Sequence, residues 1–114
     1  MEPIATALAA LMAERGLSQT ELWAAADLSP AVVSSYLSGR RGTAIDRRGA
    51  QTIERMAMVL KVAPEYFLEY RAWQVQEIAR QRPALVDDVY GLLIAAARLH
   101  GLRLGVEQGP DDAK

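Results

Sequence analysis

The chain has 114 residues, 51% apolar and 24% charged, which suits one small globular domain with an appendage. It contains no cysteine, so disulfides and cysteine-based zinc sites are excluded, and its net charge of −1 gives no whole-molecule signal for nucleic acid. No apolar run is long enough to span a bilayer, and no basic segment followed by an apolar run opens the chain, so neither membrane insertion nor secretion is expected.

Taken in order, residues 3–15 read as a first helix, with Ile4, Leu8 and Leu11 at helical spacing and Gly16 as its stop. Ser18 and Glu21 then form a capping box that opens a second helix over residues 19–26. Leu22 faces inward, and Leu28 plugs the turn that follows. Ser29 before Pro30 is another N-cap, with proline where its missing N–H costs nothing. It opens a third helix over residues 30–38, ended by Gly39, with Val33 and Tyr36 or Leu37 toward the core. Two short helices joined by so tight a turn must cross steeply, as a helix-turn-helix. The outer face of the third helix, with Ala31, Val32 and Ser35, carries no charge. Small uncharged side chains allow close approach to base edges, and alanine or valine can meet a thymine methyl.

Residues 39–49 (G-R-R-G-T-A-I-D-R-R-G) read as a loop rich in glycine and arginine. A fourth helix is expected over residues 50–61, burying Ile53, Ala57 and Leu60, with only a weak cap from Thr52 or the backbone before it. Pro64 opens a fifth helix, in which Tyr66 or Phe67 seals the core. Residues 71–82 remain helical in character, and Pro83 marks a new start. Over residues 84–100, Leu85, Val89, Leu92, Ala96 and Leu99 alternate steps of four and three, with Leu93 widening the stripe. A helix apolar over so much of its circumference needs cover on more than one side, with its own domain expected on one side and a second subunit on the other. The end of the chain, residues 106–114, reads as a flexible tail.

Charge is distributed unevenly. Arg40, Arg41, Arg47, Arg48 and Arg55 fall in one short region, whereas Asp87, Asp88, Glu107, Asp111 and Asp112 lie toward the C-terminus. That asymmetry is what one phosphate-facing surface produces, and it makes Arg40, Arg41, Arg47 and Arg48 candidates for phosphate or the minor groove.

The stretch from Leu17 to Arg41, L-S-Q-T-E-L-W-A-A-A-D-L-S-P-A-V-V-S-S-Y-L-S-G-R-R, resembles the DNA-binding core of the lambda repressor-like (Cro/Xre) family. V-A-P-E-Y-F-L resembles that family's closing helix, so the likeness covers about residues 3–70. The resemblance implies that Gln19 hydrogen-bonds a phosphate and that Ser29, Pro30, Ala31, Val32 and Ser35 approach base edges. None of these five supplies the donor fork for bidentate purine readout, which leaves methyl contacts, serine, water, DNA shape or the nearby arginines. Three departures from the pattern involve four positions: Trp23 stands where a small residue is usual, Asp27 replaces the turn glycine, and Met12 and Leu37 replace a buried arginine–glutamate pair.

Chemistry is not evident. His100 has no partner in the sequence, and Asp87 and Asp88 point to different helix faces and suit a first helical turn. The glycines of residues 39–49 lack the lysine and strand of a phosphate loop. No cofactor, metal site or catalytic activity is expected.

The sequence therefore predicts an all-α protein with three parts. These are a five-helix helix-turn-helix domain (residues 1–70), a helical dimerisation region (71–105) with Leu85, Val89, Leu92, Leu93, Ala96 and Leu99, and the tail. The expected function is a cytoplasmic, nucleoid-associated, sequence-specific regulator of transcription, bacterial or phage, that binds double-stranded DNA as a homodimer. A protein-interaction module on the same scaffold, or a low-specificity nucleoid binder, is the alternative.

Overall fold

The computed structural model describes residues 2–41 and 44–105. Among them are six α-helices, α1 (Ile4–Arg15), α2 (Gln19–Ala26), α3 (Pro30–Ser38), α4 (Arg47–Leu60), α5 (Leu68–Gln81) and α6 (Ala84–Leu99), with a 3-10 turn at Pro64–Tyr66 and no strand. The chain divides by its contacts into two compact units, the first running to Glu77 and the second beginning at Ile78. The predicted boundary at residue 70 falls inside α5. The tail predicted over residues 106–114 lies outside the described residues.

In the first unit, local chemistry sets most helix ends. The α2 capping box is complete: Glu21 N donates to Ser18 Oγ at 3.1 Å, and Ser18 N donates to Glu21 Oε1 at 2.8 Å. Ser29 Oγ accepts from Val32 N at 3.3 Å at the start of α3, with Pro30 in the first helical position. Three helices stop alike. Gly16, Asp27 and Lys61 each take the left-handed conformation, and the next residue's amide donates back to Met12 O, Trp23 O and Ala57 O. In each, that next residue (Leu17, Leu28, Val62) packs against the core, the hydrophobic partner of a Schellman ending.

The fourth helix departs from expectation. It begins at Arg47, not Ala50, because Asp46 caps it, accepting from Gly49 N at 2.8 Å. Arg47, Arg48 and Gly49 therefore belong to its first turn and not to the predicted loop, and Thr52 Oγ1 donates to Arg48 O instead of capping. The fifth helix also differs. Pro64–Tyr66 forms a 3-10 turn, and residues 68–81 form one helix, with no glycine or proline to separate a closing helix from residues 71–82.

α1 packs on α3 and α4, and α2 packs on α3 and α4. Their shared core holds Leu8, Leu11, Leu22, Val33, Tyr36, Ile53, Met56, Leu60 and Phe67. Phe67 is the aromatic that seals it, while Tyr66 is 51% exposed. Met12 is buried and Leu37 half-buried, so apolar groups occupy the site where the resemblance places an ion pair, a replacement that need not weaken a fold. Trp23 lies half-buried at the core's edge, with α2 and α3 still packed. The one buried charge among the described residues is Glu69, 1% exposed. Both of its carboxylate oxygens lie 3.0 Å from Ile4 N, so α5 supplies the acceptor that Pro3 cannot give the start of α1.

The second unit contains α6. Pro83 stands at its N-cap, Asp87 lies in its first turn, and its C-cap is His100, whose amide donates to Ala96 O and Ala97 O. No residue of α6 is buried.

Candidate nucleic-acid interface

The uncharged face predicted for α3 is solvent-accessible along its length. Pro30, Ala31 and Ser38 are exposed, and Val32, Ser34 and Ser35 are half-buried. Val32 leans against the core, so it offers only part of its side chain outward. Gln19 is exposed at the first position of α2.

Gly39, at φ 78°, ends α3 and reverses the chain, which carries Arg40 and Arg41 back alongside the helix. Each arginine is then tied by its Nε to a serine of α3. Arg40 Nε donates to Ser38 Oγ at 3.0 Å, and Arg41 Nε donates to Ser35 Oγ. The Arg41 guanidinium also lies over the ring of Tyr36, with Cζ 4.7 Å from the centroid. Tyr36 is itself fixed. Its side chain is buried, and its hydroxyl points to Gly49 O at 3.5 Å. Burial raises its phenol above the ordinary value, against the opposing pull of Arg41, so the ring stays neutral beneath the cation.

Gly49 is shaped by the same junction. A Cβ there would stand 3.0 Å from Ile45 Cβ and 3.3 Å from the Tyr36 hydroxyl, so the first turn of α4 approaches Tyr36 only because it carries no side chain. A shallow cavity of about 450 Å³, lined by Tyr36, Arg41, Ala44, Ile45, Asp46 and Gly49, opens beside them.

The five arginines of the basic region have different duties. Arg48 is exposed in the first turn of α4. Arg47 stands 3.7 Å from Glu77 Oε1, a loose pairing between an exposed guanidinium and a half-buried carboxylate. Both sit where the helix macrodipole disfavours cations, so they do not serve the helix. Arg55 is structural: its Nη1 donates to Asp27 O at 3.2 Å, fastening α4 to the turn between α2 and α3.

A family model for the Cro/C1-type helix-turn-helix DNA-binding domain matches residues 7–72. The chain belongs to that family. No curated protein and no solved structure matches it. The family places a DNA-binding domain in the first unit, and the matched segment includes α2, α3, the anchored arginines and the start of α5.

Sequence reasoning singles out the arginines but not what holds them. Tyr36 reads as a core aromatic, Ser38 as a helix-end serine and Gly49 as loop glycine. Their joint role depends on the reversal at Gly39 and on α4 starting three residues early, neither of which periodicity reveals. Glu69 carries no local signal, because its partner at Ile4 lies 65 residues away.

Proposed function

We propose that this Cro/C1-type protein is a sequence-specific regulator of transcription, bacterial or phage, that binds double-stranded DNA as a homodimer in the cytoplasm, associated with the nucleoid and without enzymatic activity. The observation that carries the reading is the junction at α3: an uncharged face of small side chains bordered by two arginines held in place. Small residues admit close contact with bases, and Arg40, with Arg47 and Arg48, supplies the sequence-independent attraction to phosphate. Gln19, Arg40, Arg47 and Arg48 contact the backbone. Ser29, Pro30, Ala31 and Val32 face the major groove beside Ser35.

The dimer rests on α6. Leu92 is 77% and Leu99 87% exposed, and Leu85, Val89 and Leu93 are exposed with them. An apolar helix left so open in one chain is covered by the same helix of a second chain. Two copies of α3 then meet successive major grooves, about 34 Å apart.

Fluorescence anisotropy with random genomic duplexes and with DNA upstream of its own gene, at two salt concentrations, tests this. Salt-sensitive binding with a clear preference is expected. Equal binding to every duplex would favour a nucleoid-organising binder, and no binding at low salt a protein partner. Replacing Arg40 and Arg48 with Ala weakens binding to all sequences and lowers the salt slope by about one for each phosphate no longer neutralised.

A further inference from the structure

α3 carries no side chain that can present paired donors to a purine, yet the structure brings such a group to its outer face. Arg41 is six positions beyond Ser35 in sequence but lies against it and Tyr36, with its Nε on the serine hydroxyl and its guanidinium over the ring. The Ser35 hydroxyl spends its own proton on Val32 O at 2.7 Å, which leaves a lone pair for Arg41 and no hydrogen for a base. Tyr36, 1% exposed, cannot swing away. A guanidinium has five N–H donors. With Nε on Ser35 and the Tyr36 hydroxyl also drawing on the guanidinium, hydrogens on the two Nη atoms remain, and a parallel pair of them matches O6 and N7 of guanine.

Arg40 shows the contrast. Ser38 Oγ accepts from its Nε at 3.0 Å and from its amide at 3.3 Å, but its serine is the exposed last residue of the helix and offers no ring to stack on. Phosphate can be met by a cation on a flexible stem, so a phosphate contact does not require the plane of the fork to be fixed. Arg41 has its plane fixed twice, by the hydrogen bond and by the ring.

We infer that Arg41 reads a guanine from the major groove at the edge of α3, and that Ser35 is a positioning residue for it, not a base contact. The inference rests on the DNA-regulator reading above. It assigns to a residue outside the recognition helix the bidentate readout that the helix itself lacks.

The test begins with selection of preferred duplexes from a random pool by the full-length protein. Anisotropy then compares wild type with Arg41→Lys, Ser35→Ala and Ser35→Thr on the selected site and on each single-base change. Arg41→Lys keeps the charge but loses the fork, and Ser35→Ala loses the anchor. Both are expected to remove the preference for one guanine per half-site, by about 5- to 150-fold, while affinity for unrelated duplexes changes little. Ser35→Thr restores the preference, and Ser35→Ala adds nothing in the Arg41→Lys background. In wild type, 7-deazaguanine at that position reproduces the loss. Inosine, which lacks only the minor-groove amino group, does not.

The inference is overturned if the selected site has no such guanine, if both variants keep every base preference, or if inosine is as damaging as 7-deazaguanine. It is also overturned if Arg41→Ala weakens all duplexes equally, the mark of a phosphate contact. Those results leave the regulator reading standing. Absence of DNA binding at low salt overturns both.

Discussion

α1 and α6 are both rich in alanine and leucine, yet they end in opposite surroundings. α1 buries Ile4, Ala7, Leu8, Leu11 and Met12 against α3 and α4, and the Glu69 carboxylate receives its first amide. α6 buries nothing, although it is the more apolar to the eye. Apolar content therefore does not decide burial; an opposing apolar surface does. Within the first unit each helix finds one, and every packed face also reduces the freedom of the next. For α6 the missing surface is, on our reading, a second α6.

The two helices differ most in what single side chains cost to remove. Phe67→Ala or Ile53→Ala removes a fully buried group from the first unit, at a cost of about 3–5 kcal/mol for the former and about 2–5 kcal/mol for the latter in urea denaturation. Leu92→Ala, on the exposed face of α6, should change monomer stability by no more than about 0.5 kcal/mol. A loss at Leu92 as large as at Ile53, in dilute protein, would show that α6 has cover within its own chain. In sedimentation, Leu92→Ser with Leu99→Ser raises the dimer dissociation constant by about tenfold or more, since each leucine buries apolar surface worth about 1.5–3 kcal/mol. An unchanged constant would exclude α6 as the interface.

Smaller effects are expected at polar and left-handed positions of the first unit. Glu69→Ala leaves Ile4 N buried without its acceptor, and a destabilisation of about 1–3 kcal/mol follows, measurable by the same denaturation. Lys61→Gly relieves a left-handed residue and adds up to about 1 kcal/mol, read as a rise in thermal midpoint. Asp27→Gly should add less, because aspartate tolerates that conformation better than lysine. Smallest at neutral pH is Tyr70→Phe. The Tyr70 hydroxyl donates to Glu54, and that hydrogen bond, with burial and the nearby carboxylates, pushes the phenol up to about 12 from its ordinary 10.0. A raised value means that the protonated form stabilises the fold; the contribution is whole below about pH 10 and is lost as pH climbs through about 12. The variant should flatten stability over that window, and an unaltered alkaline profile would refute the link.

Much of the first unit is legible in the sequence because its signals are local. Capping boxes, proline in a first turn and glycine at a C-cap each act within about five residues, so Ser18, Ser29, Gly16 and Gly39 mark their helix ends without any knowledge of the fold. The heptad-like stripe of α6 is equally plain. The start of α4 is not, because Asp46 stands among three glycines and four arginines that together spell a loop, and its capping oxygen counts only once the backbone has turned beneath it. At the interface, sequence pattern names Arg40 and Arg41 as cations near the recognition helix but does not tell them apart.

By itself, then, the sequence determined the helical periods, the caps of α2 and α3 and the helix-turn-helix, since these depend on residues a few positions apart. Tertiary structure decided the rest. It set Glu69 on the start of α1, Arg55 on the turn carbonyl of Asp27, and Arg41 between Ser35 and Tyr36. Those contacts join groups that chain reversal and packing bring together, and a hydrogen bond or a cation over a ring depends on position and angle that no spacing along the chain encodes.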